Sequence, residues 1–345
     1  MIYRRTGLVT GVRQAGEGLL KLTVKTGSRE DKAYAFLEMT GPVKPGDCVL
    51  LNTTAAELNL GSGGKHFVMA NLDSGYGREG RGREGRPEKG HIMKLRYTPF
   101  QLKVLAVEEQ DSPYHETMAK AGNLGGIPVI TGSLHSMLIP CVCGIKAVDE
   151  KIRVAYIMTD GGALPISISR AVQALKKQRF ICGTITAGHA FGGDYEAVNL
   201  YSGLLAAREV LQAQAVVVLM GPGVVGTGTR WGHTGLEVGQ VINAACSLQG
   251  TSYTIPRLSF AEKRDRHLGL SHHTLTALAD VALGTTRLVL PLLTGEQMGI
   301  VLRQLQRRDI TRHELVQGEG LRGIGLARER GFEVKRVRVA NGGAR

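Results

Sequence analysis

Aromatic residues are scarce in this chain: Phe, Trp and Tyr make up 5% of 345 residues, with a single tryptophan. That scarcity argues against a groove that stacks the bases of single-stranded nucleic acid. Long apolar runs are lacking too, and none approaches the ~20 residues of a bilayer-spanning helix, so no membrane partner is expected. The opening Met1-Ile-Tyr-Arg-Arg turns polar at once and does not read as a secretory leader. Five cysteines, at 48, 141, 143, 182 and 246, are odd in number and lack framework spacing. They exclude a disulfide scaffold and point to reduced thiols in a cytoplasmic setting. Two familiar catalytic spacings are also missing. No H-x-x-x-H, H-E-x-x-H or paired C-x-x-C marks a metal site, and no G-x-S-x-G elbow surrounds Ser133.

Acidic residues are in deficit, 30 against 43 Lys and Arg, giving a net charge of +13. The excess is not spread evenly. Residues 1–100 carry 16 basic against 10 acidic groups, residues 101–299 carry 16 against 15, and residues 300–345 carry 11 against 5. A near-neutral middle flanked by basic ends leaves nucleic acid a conceivable partner but not the favoured one. Glycine is abundant, 47 residues or about twice the usual ~7%.

The first 110 residues read as a small β-barrel-like domain. Leu8–Val12, Leu19–Val24 and Ala33–Leu37 are short runs of partial alternation, and Pro45-Gly46 turns the chain into Cys48–Leu51. Such a barrel can bind oligonucleotides or serve only as an adaptor. Residues 75–90, with six Gly, four Arg and three Glu, lack apolar anchors and are expected to form a mobile loop. Strands resume at Ile92–Tyr97 and Leu102–Val107, closing the first domain, and 108–125 serves as a connection. Near the other end, Arg303–Arg308 reads as helix and the Phe332–Val339 run as an edge strand.

Residues 126–345 change period. Apolar strands (127–130, 153–158, 180–186, 215–220, 253–258, 288–292) alternate with helices (166–178, 196–212, 235–248, 272–283, 295–308). Thr294 with Gln297 has capping-box spacing, and Ser271 precedes an apolar helical run. The pattern predicts an α/β fold: a Rossmann-like, mostly parallel sheet with helices on both faces. Cys141-Val-Cys143 is read as a strand with both thiols on one buried face.

In a parallel sheet, loops leaving the strands gather at one edge. Here those loops hold six of the ten histidines, at 135, 189, 233, 267, 272 and 273, whereas the return loops are short and plain. The edge is therefore the candidate site. Asp160, His189, Asp194, His233, His272 and His273 are candidates for acid–base or metal roles, although the same groups also suit caps and loop backbones. Ser133, His135, Gly221, Gly223, Gly226, Lys263, Arg264, His267 and Ser271 are candidates for ligand binding, with Arg266 beside them. Ser271-His272-His273 opens a helix, where free N–H groups and the basic 263–266 run favour a phosphate or carboxylate. Gly221, Gly223 and Gly226 form G-x-G-x-x-G, but Pro222 intrudes, the helix is delayed, and no acidic residue follows at the ribose-binding distance. A nucleotide cofactor is thus less expected than a plain anion, and a divalent metal is open.

The motifs Gly90-His-Ile-Met-Lys-Leu-Arg-Tyr-Thr-Pro99, Gly188-His-Ala-Phe-Gly-Gly-Asp194, Gly221-Pro-Gly-Val-Val-Gly-Thr-Gly228 and Gly269-Leu-Ser-His-His-Thr274 carry a resemblance. Over almost its full length the chain resembles a bacterial family designated domain of unknown function 3866. The resemblance implies a cytoplasmic protein and assigns no activity and no catalytic residue. The expectation from the residues is an enzyme, hydrolytic or group-transferring, acting on a small anionic metabolite. The alternative is a non-catalytic anion sensor or an RNA-associated protein using the N-terminal barrel. Homo-oligomerisation is left open.

Overall fold

The computed structural model describes residues 2–60, 62–73 and 89–334, and the chain divides into two compact units, Met1–Val104 and Leu105–Arg345. In the first, the short apolar runs form β1 (Arg4–Gly16), β2 (Leu19–Thr26), β3 (Arg29–Phe36), β4 (Cys48–Asn52) and β5 (His66–Asn71). Helical turns α1 (Leu37–Thr40) and α2 (Thr54–Glu57) interrupt them. The five strands close into a barrel in the order β1-β2-β3-β5-β4. Alternation decides what points inward: Leu20, Leu22 and Val24 of β2 meet Val49, Leu51 and Val68 in the core. The long β1 pairs with β4 through Arg4–Leu8 and with β2 from Leu8 onward. Gly7 permits that crossing, since a Cβ there would lie 3.1 Å from the Leu51 side chain.

The strands expected to close this domain do not join the barrel. They shrink to β6 (Ile92–Lys94) and β7 (Leu102–Val104), which pair only with each other. Left-handed backbone at Leu95 (φ 50°) and Tyr97 (φ 63°) breaks the run. Residues 75–88 of the expected mobile loop, and the part of the Phe332–Val339 run beyond Val334, lie outside the described residues.

The second unit begins with α3 (His115–Lys120) and β8 (Pro128–Gly132). Next come α4 (Leu138–Val148), β9 (Val154–Thr159), α5 (Arg170–Lys177), β10 (Gly183–Ala187), β11 (Tyr195–Ala197), α6 (Leu200–Glu209), β12 (Ala215–Met220) and α7 (Glu237–Ser247). The chain continues through β13 (Thr251–Ile255), β14 (Leu258–Ser259), β15 (Gly269–Leu270), α8 (His272–Thr276), β16 (Arg287–Pro291), α9 (Gly295–Arg307), β17 (Glu314–Gly318) and α10 (Leu321–Glu329). Eight strands form one sheet, β11-β10-β9-β12-β8-β13-β16-β17, and every pairing in it is parallel. An α/β fold with a preceding barrel is thus what the chain adopts.

Helices cover both faces. Val216 and Val218 of β12 pack with α6 and α7 through Leu204, Ala207, Val241 and Ala244, while Val217 and Leu219 face α4 and α5 through Leu138, Val142, Val172 and Leu175. All six β12 residues are buried, so the strand is apolar without alternation. The Cys141–Cys143 segment is helical, in α4, not a strand. Pro140 is tolerated there because N–H groups of the first turn have no intrahelical partner. The helical reading of 303–308 is met by the last turns of α9, and the Thr294–Gln297 capping box is present.

Strand order decides which exit loops meet. The chain runs outward from β8 to β11, returns to insert β12 between β9 and β8, then proceeds through β13 to β17. The neighbours β12, β8 and β13 therefore bring their exit loops together at the point where the winding reverses.

Candidate functional site

The β12 exit loop does not enter a helix directly. It folds as a hairpin in which Gly226 bridges His233, Thr227 N–H donates to the Gly232 carbonyl at 2.8 Å and Thr234 N–H to Val225 at 3.0 Å. Arg230 at its tip lies over the Trp231 ring at 5.1 Å and grips Asp280 with two nitrogens, at 3.2 and 2.5 Å. The G-x-G-x-x-G stretch thus builds a turn that returns His233 inward. Gly226 keeps this backbone against the next histidine pair: a Cβ there would stand 3.4 Å from His273 Nε2.

The β13 exit loop supplies the rest. Pro256 ends the strand, and β14 pairs with β15 to pinch off an excursion that carries residues 260–268. Gln304 of α9 holds its base, accepting from Leu270 N–H at 2.9 Å and donating to the Leu268 carbonyl at 2.9 Å. Ser271 then caps α8: its Oγ accepts from His273 N–H at 3.2 Å and shares a 2.7 Å hydrogen bond with His267 Nδ1. The helix passes at Ala277–Val281 into a π-turn, a feature frequent at functional sites.

Four imidazoles converge. The His233 and His273 rings stack at 4.0 Å between centroids, His272 and His273 meet at 4.3 Å, and His267 and His272 at 5.0 Å. Donor atoms of His233, His272 and His273 all lie within 4.8 Å of one another. Both ring nitrogens of His233, His272 Nε2 and His273 Nδ1 are buried without a well-formed hydrogen bond, although contact with the Arg230 backbone partly offsets the burial of His233. Leaving one such group unsatisfied costs roughly 1–3 kcal/mol, so four in one place is an unusual concentration. Burial is the leading cause that lowers all four histidines. His273 falls to about 3, helped by His233 and His272, and His267 to about 4, helped by Arg257 and Arg264. The rings are neutral at physiological pH, with lone pairs to offer.

Beside them opens a cavity of about 410 Å³, walled by His267, His272, His273, Gly226, Gly228, Leu134, Ser136, Val224 and three arginines, Arg257, Arg264 and Arg266. Glu262 is buried behind the arginines. It accepts two bonds from the Arg264 guanidinium, at 3.0 and 2.7 Å, and one from Arg264 N–H at 3.3 Å, and lies 3.9 Å from Arg257. Arg264 holds its carboxyl down to about 2. Arg257 is itself lowered, by burial first and then by the Arg264 charge. No ion pair among the described residues holds Arg266.

A match to a family model described as a protein of unknown function (DUF3866) covers residues 32–336. The chain belongs to that family. DUF3866 carries no activity with its description, and no curated protein matches the chain. The site of this DUF3866 member must therefore be read from its own residues.

Of the sequence candidates, His233, His267, Ser271, His272, His273, Gly226, Arg264 and Arg266 come together. The others do not. Asp194 turns back along β10, where its carboxylate accepts from Thr184 N–H and Oγ1 at 2.9 Å each and pairs with Lys176 at 2.6 Å. His135 is tied to the Met220 carbonyl at 3.1 Å and to Ser169 Oγ at 2.6 Å, inside the fold. Asp160 accepts the His189 N–H at 2.8 Å, a pairing within the β9 and β10 exit loops. Ser133 is buried, and its neighbour Leu134 lines the cavity in its place. Gly221 packs against Leu164, Gly223 takes a left-handed φ of 112° in the turn, and Lys263 is exposed and does not line the cavity.

Sequence reading misses Arg257 and Glu262. Arg257 is hidden by a strand read through to Leu258, although Pro256, which cannot donate to a ladder, was the signal that the strand had ended.

Proposed function

We propose that this protein is an enzyme that takes a small phosphate- or carboxylate-bearing metabolite into the histidine–arginine cavity and catalyses hydrolysis or group transfer there. One observation carries the reading: a cavity of about 410 Å³ whose wall holds three arginines together with a cluster of neutral imidazoles. Glu262 offsets one of the three positive charges, so the wall favours a dianion over a monoanion or a cation. A ring nitrogen at the wall can orient an attacking water or hydroxyl, while guanidinium stabilises charge that builds on the substrate's oxygens.

Calorimetric titration with inorganic phosphate and pyrophosphate tests the binding half. Arg257→Ala and Arg266→Ala should each weaken affinity about 10–100-fold, the worth of a charge-assisted hydrogen bond. Unchanged affinity in both variants removes the cavity as the site. A panel of phosphate and carboxylate esters tests the rest: a protein that holds the anions but turns over no ester is a sensor, not an enzyme.

A further inference from the structure

We infer that His233, His272 and His273 form the protein ligands of a divalent transition-metal site at the inner end of the cavity. Four observations converge on it. The three residues place donor atoms within 4.8 Å of one another. His233 and His273 are 7% and 6% exposed, so water does not satisfy their ring nitrogens. Both nitrogens of His233, Nδ1 of His273 and Nε2 of His272 lack a well-formed hydrogen bond, although contact with the Arg230 backbone partly offsets the burial of His233. His233 and His273 stack nearly parallel, at 14° and 4.0 Å between centroids, so no ring-to-ring hydrogen bond satisfies them, and one ring must turn before both lone pairs meet at one ion.

The loops give the arrangement its rigidity. His272 and His273 are consecutive at the start of α8, pinned by the Ser271 cap, and reach the same point from different azimuths. His233 arrives on a separate element, the Gly226-bridged hairpin, and stacks on His273. At metal–nitrogen distances of about 2.0–2.1 Å, tetrahedral ligand atoms stand roughly 3.4 Å apart, so the set closes when the stacked His233 and His273 rings turn out of parallel to aim at one point. His267 is not one of the three whose donor atoms gather within 4.8 Å; its Nδ1 hydrogen-bonds Ser271 Oγ at 2.7 Å. That leaves three protein ligands and an open position toward the cavity, the pattern of a catalytic rather than a structural zinc site.

Donor chemistry names the class of ion. Three imidazoles and no carboxylate suit zinc, cobalt, nickel, copper or iron, and disfavour magnesium and calcium, which require oxygen. Arg257, Arg264 and Arg266 oppose a cation electrostatically, and Glu262 offsets them only in part. A bound anion would relieve the remainder, so metal and phosphate should each tighten the other's binding. The inference rests on the proposed function only for this coupling and for what the open position serves. The site itself stands on the histidines.

The test uses the full chain, stripped with a chelator, and zinc or cobalt alone as probe. Zinc should bind one equivalent per chain. Cobalt should give visible d–d absorption of a nitrogen-rich, four- or five-coordinate site, and X-ray absorption at the zinc edge should show three imidazoles. His272→Ala and His273→Ala should each weaken zinc at least 100-fold, while His189→Ala leaves it unchanged. The absorption data on the unaltered protein decide the matter if the variants fail to fold. Absence of stoichiometric binding, or fewer than two imidazoles on the ion, overturns the site. Arg266→Ala separates the two readings: lost phosphate binding with zinc retained supports both. Zinc bound to a protein indifferent to phosphate supports the metal site and ends the anion reading.

Discussion

Two glutamates near the site carry opposite electrostatic signatures. Glu262 is held down to about 2 by its bonds to Arg264, whereas Glu237 is raised, chiefly by burial, although it accepts Thr159 Oγ1 at 2.8 Å. A depressed carboxyl contributes stability that is present above its ordinary 4.5 and is lost as pH falls toward about 2. A raised carboxyl does the reverse: stability falls as pH rises above 4.5, because the folded state resists ionisation. At neutral pH, Glu262→Gln should therefore melt below the unaltered protein and Glu237→Gln above it. Both differences should shrink on acidification in a series of melting curves. If Glu262→Gln instead held a constant offset into acid, Arg264 would not be what binds that carboxyl. At this scale the sequence announced the histidines but not which would meet. All six sit in exit loops, and composition alone does not separate His135, bonded into the fold, from His273, aimed at the cavity.

Among the elements, α10 shows how glycine placement fixes a helix crossing. A Cβ at Gly323 would stand 2.6 Å from the Pro140 carbonyl oxygen and 2.7 Å from Gly144 N of α4, both backbone atoms that cannot rotate away. Two positions on, a Cβ at Gly325 meets nothing within 4 Å. Gly323→Ala should therefore destabilise by about 1–3 kcal/mol through forced separation of the helices. Gly325→Ala should stabilise by up to about 1 kcal/mol through helix propensity alone. Urea unfolding of the two variants checks the contrast, and equal effects would mean that α10 does not pack on α4 as described. The elements with a clear period or cap were legible: β12 is found at its full span, and the Thr294 box opens α9. Helix α4 was not. Its Leu138–Val148 run has buried residues at Leu138, Ile139, Val142, Cys143 and Lys146, with polar groups too few to mark a solvent face. Strands of three residues, such as β11, were beyond reach for a different reason, since they owe their conformation to the neighbouring β10 and not to their own pattern.

For the whole molecule, what turns loops into a site is the order of strands, and order is the part of a parallel sheet that sequence patterning does not encode. Every exit loop opens on the same edge, as the strand–helix alternation implied. Yet only the loops of β12, β8 and β13 adjoin one another at the histidine cluster, because β12 inserts beside β8. The β10 loop lies beyond β9, and its Asp194 is spent on Thr184 and Lys176. This separation predicts a double dissociation. Asp194→Ala removes two hydrogen bonds from Thr184 and a half-exposed ion pair, and should lower stability by roughly 1–2 kcal/mol. Its affinity for phosphate should stay within about threefold of the unaltered protein, as expected for sites that share no partners. Arg266→Ala, on an exposed stretch of the β13 loop, should do the opposite, leaving the melting temperature in place and taking phosphate affinity down. Parallel melting and phosphate-titration curves for the two variants read both effects. A large loss of affinity in Asp194→Ala with stability intact would put the β10 loop back at the site and contradict the strand order as its organising cause.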